Sequence, residues 1–466
     1  MVNFSVNLTH PLTFLITKRN RKLFGLAWTV LSFLPQLVTA STILTLGTDR
    51  TNAVYQAGEN IVWHATLHGD ASKFPDGSSY SINQGGGQVI GTGTVKFENG
   101  KAVFECTPPA VGTILGEIIV TNHDGKVMRA LAGAAVAPEK ILPSLPCPDD
   151  FDAFWKSKTE ELVAVPETPV IHIGDSGRSE VGYWKISLAN IRGAHIQGQL
   201  ARPVAGNKFP AILLVQWAGV YPLQKEWITK RAAEGWLVLN ISAHDLPIDA
   251  PQSFYDGLAN GALTNYPAIG NDDREQSYFL RMYLSCYRAV EYLAARPDWD
   301  GKTLIVTGTS QGGLQSFVAA ALNPKVTGIM ALVPAGCDNS GDLVGRNPGW
   351  PYWMANAGNH DMNRVRETAR YFDGVNFAAR VKCPALVGLG LIDTTSPPSG
   401  VFAAVNQLKG SKEVIVMPDA NHHGDNNTHA QYIKRENQWL AAWLKGHENP
   451  ILAKSRAKPT TVVSRH

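Results

Sequence analysis

The chain has no Cys-X-X-Cys pair, and its five cysteines, Cys106, Cys147, Cys286, Cys337 and Cys383, are scattered without the Cys/His spacing of a metal site. Their odd number leaves at least one thiol unpaired, so no disulfide framework is evident. Charge is also sparse. Charged residues make up 17% of the 466 and hydrophobic ones 44%, the balance of an ordinary globular protein. The formal charge of +3 misleads, because residues 1–40 carry Lys18, Arg19, Arg21 and Lys22 and no acid. Without those four, 38 basic residues face 39 acidic ones, which excludes the basic footprint of a nucleic-acid binder. Nothing calls for a metal or a cofactor. The apolar run Leu23–Leu34 is too short to span a bilayer comfortably. With the basic cluster before it and the small residues Val38-Thr39-Ala40 after it, it reads as a secretory signal cleaved after Ala40. The mature chain would then be secreted or periplasmic and off the membrane. The alternative is an uncleaved anchor or a wrongly assigned start.

What is present divides into unequal parts. Residues 41–137 read as all-β. Ile61–Leu67 is a strand candidate, Val95–Glu98 and Ala102–Glu105 flank a hairpin signal at Asn99-Gly100-Lys101, and another turn lies at His123-Asp124-Gly125. Strands at this spacing predict a β-sandwich of immunoglobulin type, although the Cys…Trp…Cys pattern of true immunoglobulin domains is absent. Trp63 is assigned to its core. No aromatic platform for carbohydrate is evident, so a spacer or packing module is the default. Residues 138–148 hold four prolines and are expected to be an extended, stiff linker. From 149 to 449 strands alternate with helices, which predicts an α/β domain with a mostly parallel sheet covered on both faces. Residues 450–466 read as a mobile basic tail.

The chemistry centres on Leu304–Phe317. An apolar, β-branched strand runs into Gly308-Thr309-Ser310-Gln311-Gly312, and an alanine-rich helix follows. This is the nucleophile-elbow pattern of α/β-hydrolases in the context that it needs. A side chain at 308 or 312 would clash with the neighbouring strand or helix, and glycine removes it. Read blandly, the segment is a glycine-rich turn without chemistry; the partners decide.

A serine hydroxyl needs a base to take its proton and an acid to orient that base. On this fold the chain order is Ser, acid, His. Asp393 follows the strand Ala385–Leu391, and His422 and His423 follow the strand Val414–Met417. Asp393 also fits a helix cap ahead of Thr394–Pro397. Asp338 and Asp419 are weaker rivals for the acid, and His360 and His429 are assigned to the surface. The amide of Gln311 supplies one oxyanion donor. The other is expected from the loop after Phe209–Gln216, with Val220 chosen because Gly219 lets the backbone turn there. Trp217 and Tyr221 are candidates to line a substrate pocket.

Gly308-Thr309-Ser310-Gln311-Gly312-Gly313 resembles the Gly-X-Ser-Gln-Gly-Gly motif of the acetylxylan esterase and cephalosporin C deacetylase family (carbohydrate esterase family seven). The resemblance runs from about 148 to about 446 and takes in Asp150–Trp155, Arg288–Glu291, Tyr371–Arg380, and Asp393 with Pro397-Pro398. It implies His422 as the catalytic histidine, His423 where the family has Glu, and Val220 where it has Tyr. It also implies hydrolysis of acetyl esters on xylo-oligosaccharides or other small acetylated compounds, and a hexamer that an added N-terminal domain could block or reshape. Two features depart from it. The Arg-Gly-Gln motif expected near Ser242-Ala243-His244-Asp245 is missing, so packing near the site must differ, and the β-domain lies outside the single-domain pattern. The rivals are another serine hydrolase (aryl or feruloyl esterase, lipase or peptidase) and a non-catalytic glycan-binding module.

Overall fold

Buried and exposed side chains alternate along Ile61–His68, as they do in a strand with one face on a core. In the computed structural model, which describes residues 43–69, 77–123, 125–447 and 450–453, this strand is β3 of an eight-strand N-terminal region. β1 (Ile43–Thr48), β3 and β6 (Lys101–Cys106) form one sheet. β2 (Val54–Tyr55), β8 (Val127–Val136), β7 (Gly112–Thr121), β4 (Ser78–Gln84) and β5 (Gln88–Val95) form the other, in that order. The two sheets face each other. Trp63 is fully buried, and a Cβ at Gly116 on the opposite sheet would lie 2.7 Å from its ring. Tyr80 stacks on Phe104 across the same gap at 4.3 Å. The expected signal segment lies outside the described residues, among which no helix is long and apolar enough to cross a membrane.

One predicted hairpin is a crossover instead. Asn99 and Gly100 do take the paired positive φ values of a tight turn, 52° and 73°. The strands on either side, β5 and β6, belong to different sheets. The turn is pinned to β3, with Leu67 N–H donating to the Gly100 carbonyl at 2.8 Å. Turn chemistry sets the local bend; burial of Phe104 and Ala102 opposite Trp63 and Ala65 selects the sheet. The other turn does join paired strands, β7 and β8.

The expected linker is no free tether. Pro138–Lys140 forms a tight helical turn, and Asn406 Nδ2 donates to the carbonyls of Pro138 and Ile141 at 2.8 and 2.9 Å. Ser144 N–H donates to Asp338 at 2.7 Å. Further contacts join the β-region to the rest. Asn347 N–H donates to the Gly85 carbonyl at 2.8 Å and Gly133 N–H to the Pro418 carbonyl at 3.2 Å. A side chain at 133 would fall on Leu391, with its Cβ 2.6 Å from the Leu391 carbonyl oxygen. One continuous apolar cluster runs from Trp63 and Ile118 to Phe317, Leu391 and Phe402.

The second region opens with α1 (Phe151–Val163) and an antiparallel trio, β9 (Val170–Gly174), β10 (Val181–Ala189) and β11 (His195–Pro203). Then come β12 (Phe209–Val215), α2 (Glu226–Ala233), β13 (Leu237–Ile241), α3 (Gln252–Ala259), α4 (Tyr278–Ala295), β14 (Trp299–Thr309), α5 (Gln311–Leu322) and β15 (Gly328–Leu332). α6 (Met362–Tyr371), α7 (Gly374–Ala378), β16 (Ala385–Gly390), α8 (Pro398–Val405), β17 (Lys412–Met417), α9 (Ala430–Leu444) and α10 (Pro450–Ala453) complete it. The nine strands are ordered β17-β16-β15-β14-β12-β13-β11-β10-β9, and β12 to β17 run parallel. Successive residues of β14 enter opposite cores, Leu304 and Val306 with α4 and α5, Ile305 with α2 and α9. The edge strand β9 was not foreseen. Residues 450–453, expected to begin the tail, are helical and pack on α9.

Candidate active site

The site is built where β14, β16 and β17 end, on the side where an open parallel sheet gathers its loops. Ser310 sits between β14 and α5 at φ 59°, ψ −119°, a strained backbone for a side chain other than glycine. Its neighbours explain how the strain is held. Ser310 N–H donates to the Leu332 carbonyl at 2.9 Å, and its own carbonyl accepts from Ala335 at 3.0 Å. A Cβ at Gly308 would lie 2.7 Å from Gly312 Cα, and one at Gly312 would lie 2.5 Å from the Val215 carbonyl. No larger residue fits at either glycine without moving a strand.

The structure brings Ser310, His422 and Asp393 into one hydrogen-bonded line. Ser310 Oγ lies 2.8 Å from His422 Nε2, and His422 Nδ1 lies 2.8 Å from Asp393 Oδ2. The carboxylate can only accept, so Nδ1 carries the ring proton and Nε2 is free to accept from the serine. Asp393 is not the helix cap of its alternative reading, since α8 begins at Pro398 with Pro397 before it; Oδ1 instead accepts the amides of Thr395 and Ser396 in the turn ahead of that helix, both at 2.8 Å. Turn anchor and acid are the two oxygens of one carboxylate.

The rivals lie elsewhere. Asp419 is exposed, and Asp338 is buried beside Arg346 and Asp373, tied to Ser144. Asp373 is pushed up to about 7 by burial and by Asp338 beside it. His360 is exposed and bonded to Asn271, as expected. His429 is a correction. It is 7% exposed and lines the Ser310 cavity, and its Nε2 donates to the Asn421 carbonyl at 3.0 Å. It braces the peptide that leads into His422. Burial draws its pKa down. Its position on the turn before α9, without a strand ahead of it, hid this from the sequence.

Ser310 opens into a cavity of about 370 Å³ walled by Trp217, Trp350, His422, His423 and His429. Trp217 is 42% exposed. Tyr221 does not reach the cavity. Its ring stacks behind Trp217 at 5.1 Å, and its hydroxyl bonds the Trp217 carbonyl at 2.8 Å. It holds the tryptophan that the cavity uses.

Of the expected oxyanion donors, Gln311 begins α5, so its amide has no partner inside the helix. Its side chain is anchored at both ends, Oε1 accepting from Tyr266 and Nε2 donating to the Gln216 carbonyl at 3.3 Å. Val220 is half-buried and follows Gly219 at φ 130°. Where the Arg-Gly-Gln motif is missing, a buried histidine fills the space. His244 lies 2.9 Å from the Gly219 carbonyl through Nε2 and 2.7 Å from the Tyr278 hydroxyl through Nδ1. Among the described residues, no group of three or more His, Cys, Asp or Glu side chains is placed to hold a metal ion.

Comparison with known proteins identifies the family and the fold. The family model for acetyl xylan esterases matches residues 139–442. A curated relative, the acetyl esterase Axe7A of Xylanibacter ruminicola, is 30% identical over 376 residues, 79% of this chain and 82% of the relative. That span is longer than the chain from 139 to its end, so it reaches into the β-region. Two solved structures resemble it at 24% identity. The acetyl xylan esterase of Paenibacillus sp. R4 has a TM-score of 0.57, covering 66% of this chain and 98% of its own. Acetyl xylan esterase 1 of Thermoanaerobacterium sp. JW/SL YS485 has a TM-score of 0.56, covering 64% and 96%. At that identity the likeness speaks for the fold, that of the α/β-hydrolase esterases. With its β-rich addition at the N-terminus, the chain is a carboxylic ester hydrolase and belongs to the acetyl xylan esterase family.

Proposed function

We propose that the chain removes O-acetyl groups from carbohydrates, acetylated xylo-oligosaccharides first among them, through an acetyl-enzyme on Ser310. The observation that carries this reading is the line Ser310–His422–Asp393, with 2.8 Å at each step. His422 Nε2 takes the hydroxyl proton as Ser310 Oγ attacks the acetyl carbonyl, and Asp393 stabilises the imidazolium that forms. The amides of Gln311 and Val220 receive the charge on the carbonyl oxygen. Collapse of the tetrahedral intermediate breaks the bond to the sugar oxygen, which takes the proton from His422. Water then gives its proton to the same nitrogen and attacks the acetyl-enzyme; the bond to Ser310 Oγ breaks, Oγ takes that proton back, and acetate leaves. The same steps apply to small acetyl esters such as cephalosporin C.

The test compares p-nitrophenyl acetate, butyrate and octanoate with wild type and Ser310→Ala. Activity confined to acetate and reduced at least ~10³-fold by the substitution supports the reading. Preference for the longer chains would keep the serine and discard the deacetylase. The basic-then-apolar segment 1–40 supports export. An exported chain beginning at Ser41, read by N-terminal sequencing, is the expected result.

A further inference from the structure

The peptide unit between Gly219 and Val220 has two ends with different tasks. Its N–H is the second oxyanion donor in the reading above, on which this inference rests. Its carbonyl oxygen points the opposite way, because the unit is planar and trans. Fixing one end therefore aims the other. Gly219 stands at φ 130° and has no side chain to hold it in place, so on that side the contacts of the backbone restrain this plane.

What it touches is His244. The Gly219 carbonyl can only accept, so His244 Nε2, 2.9 Å away, is the donor. In the neutral ring Nδ1 is then an acceptor, and the Tyr278 hydroxyl donates to it at 2.7 Å. Both ring nitrogens are used and the tautomer is set. Tyr278 is the first residue of α4, so the chain of bonds ends on a rigid element. The Tyr266 ring meets His244 edge-on at 4.8 Å, and its hydroxyl reaches Gln311. Both expected oxyanion residues are thereby tied to one buried cluster.

We propose that His244 is a positioning residue for the oxyanion hole, holding the Gly219–Val220 peptide plane so that Val220 N–H faces the ester oxygen. His244 touches no reacting atom. It orients the donor, and its bond to the carbonyl polarises the N–H at the other end of the same peptide. It stands in the segment where the family's Arg-Gly-Gln motif is absent, so the family motif does not supply this role.

The far side of His244 borders a second cavity of about 300 Å³, lined also by Asn190, His195, Asp245, Tyr278 and Arg281. This gives a small molecule access to the space the imidazole occupies.

The test uses the full-length protein and p-nitrophenyl acetate. H244F keeps a flat ring and removes the donor. It is expected to lower kcat about 10- to 100-fold with KM within about threefold, since misaiming a donor costs less than the 10²–10³ of deleting one. H244Q keeps an N–H and is expected to recover at least about fivefold of that loss. In H244G, added imidazole is expected to restore turnover, with S310A plus imidazole as the blank. A kcat within twofold of wild type in folded H244F would overturn the proposal. So would equal losses in H244F and H244Q that follow their unfolding temperatures. If H244F does not fold, H244G decides, rescue supporting the role and its failure rejecting it. S310A separates this from the reading beneath: turnover by S310A rejects the serine mechanism, whereas a dead S310A beside a fully active H244F rejects only His244.

Discussion

Asp393 binds His422 with one carboxylate oxygen and its own loop with the other. Oδ2 takes His422 Nδ1 at 2.8 Å while Oδ1 holds the amides of Thr395 and Ser396. The acid is therefore oriented before any substrate arrives. Asp393→Asn separates the two duties. The amide oxygen can still cap the turn, but the NH₂ now faces Nδ1 and forces the ring proton onto Nε2, where it blocks acceptance from Ser310. Turnover is expected to fall about 10³- to 10⁴-fold with little change in unfolding temperature. A parallel loss of both in steady-state kinetics and calorimetry would mean that the turn, not the tautomer, had failed.

Gly133 on β8 tests the link between the β-region and the site. Its N–H holds the Pro418 carbonyl, and the space for a side chain is filled by Leu391, two residues before Asp393. Gly133→Val is expected to cost about 1–3 kcal/mol through overpacking. It is also expected to reduce kcat by about tenfold or more, because 1 Å displacements at the acid are enough for that. Chemical denaturation and initial rates on one preparation check both. A stable variant with full activity would mean that the contact does not reach the loop.

Trp217 is exposed, lies beside Ser310 and is backed by Tyr221 and Trp227. A flat aromatic face held in this way suits a sugar ring better than an acetyl group. Trp217→Ala is expected to raise KM for acetylated xylo-oligosaccharides about fivefold or more, while kcat/KM for p-nitrophenyl acetate stays within about threefold. Equal effects on both substrates would place Trp217 in the acyl pocket.

His244 and His429 predict a pH dependence of stability. Burial draws both below the ordinary histidine value of 6.5. Below that value the unfolded chain takes protons that the folded chain refuses, so the unfolded chain gains as pH falls. The contribution is fully present above about pH 6.5 and is lost as pH drops beneath it. Around His244 stand Tyr266, Tyr278 and the Gly219 carbonyl; the carbonyl pulls the value back up, and burial outweighs it. The unfolding temperature is expected to fall between pH 7.5 and 5.5, and to fall less in H244F. An equal fall in both would remove His244 from the account.

Much of the site was legible because its chemistry is local or ordered. Ser310 is marked by glycines that sterics demand on both sides, and Asp393 and His422 by the order of strands that carry them. The strands of the parallel sheet were legible because burial on both faces leaves continuous apolar runs. β9 was not, since Val170, Ile171 and Ile173 are exposed at 51, 44 and 88% and carry no inside-outside rhythm. The route of the chain past Asn99-Gly100 was hidden because a tight turn fixes a bend and not the partner strand. Tyr221 and His429 exchanged their expected places, one behind the cavity and one in it, because local sequence does not say which way a loop side chain points. The absence of Arg-Gly-Gln was visible; that a histidine three residues past β13 fills the gap required the fold.

The continuous core from Trp63 to Phe402 makes the β-region part of the enzyme's own interior. A domain joined by a free tether can be exchanged or lost, and its host remains an enzyme. This one has its partner's residues inside its own packing: Leu391 where Gly133 has no side chain, Asn347 against Gly86, Asn406 holding the connecting turn. Recombination at the proline-rich junction would cut through a shared interior. A side chain added in one region therefore meets residues several hundred positions away in the other.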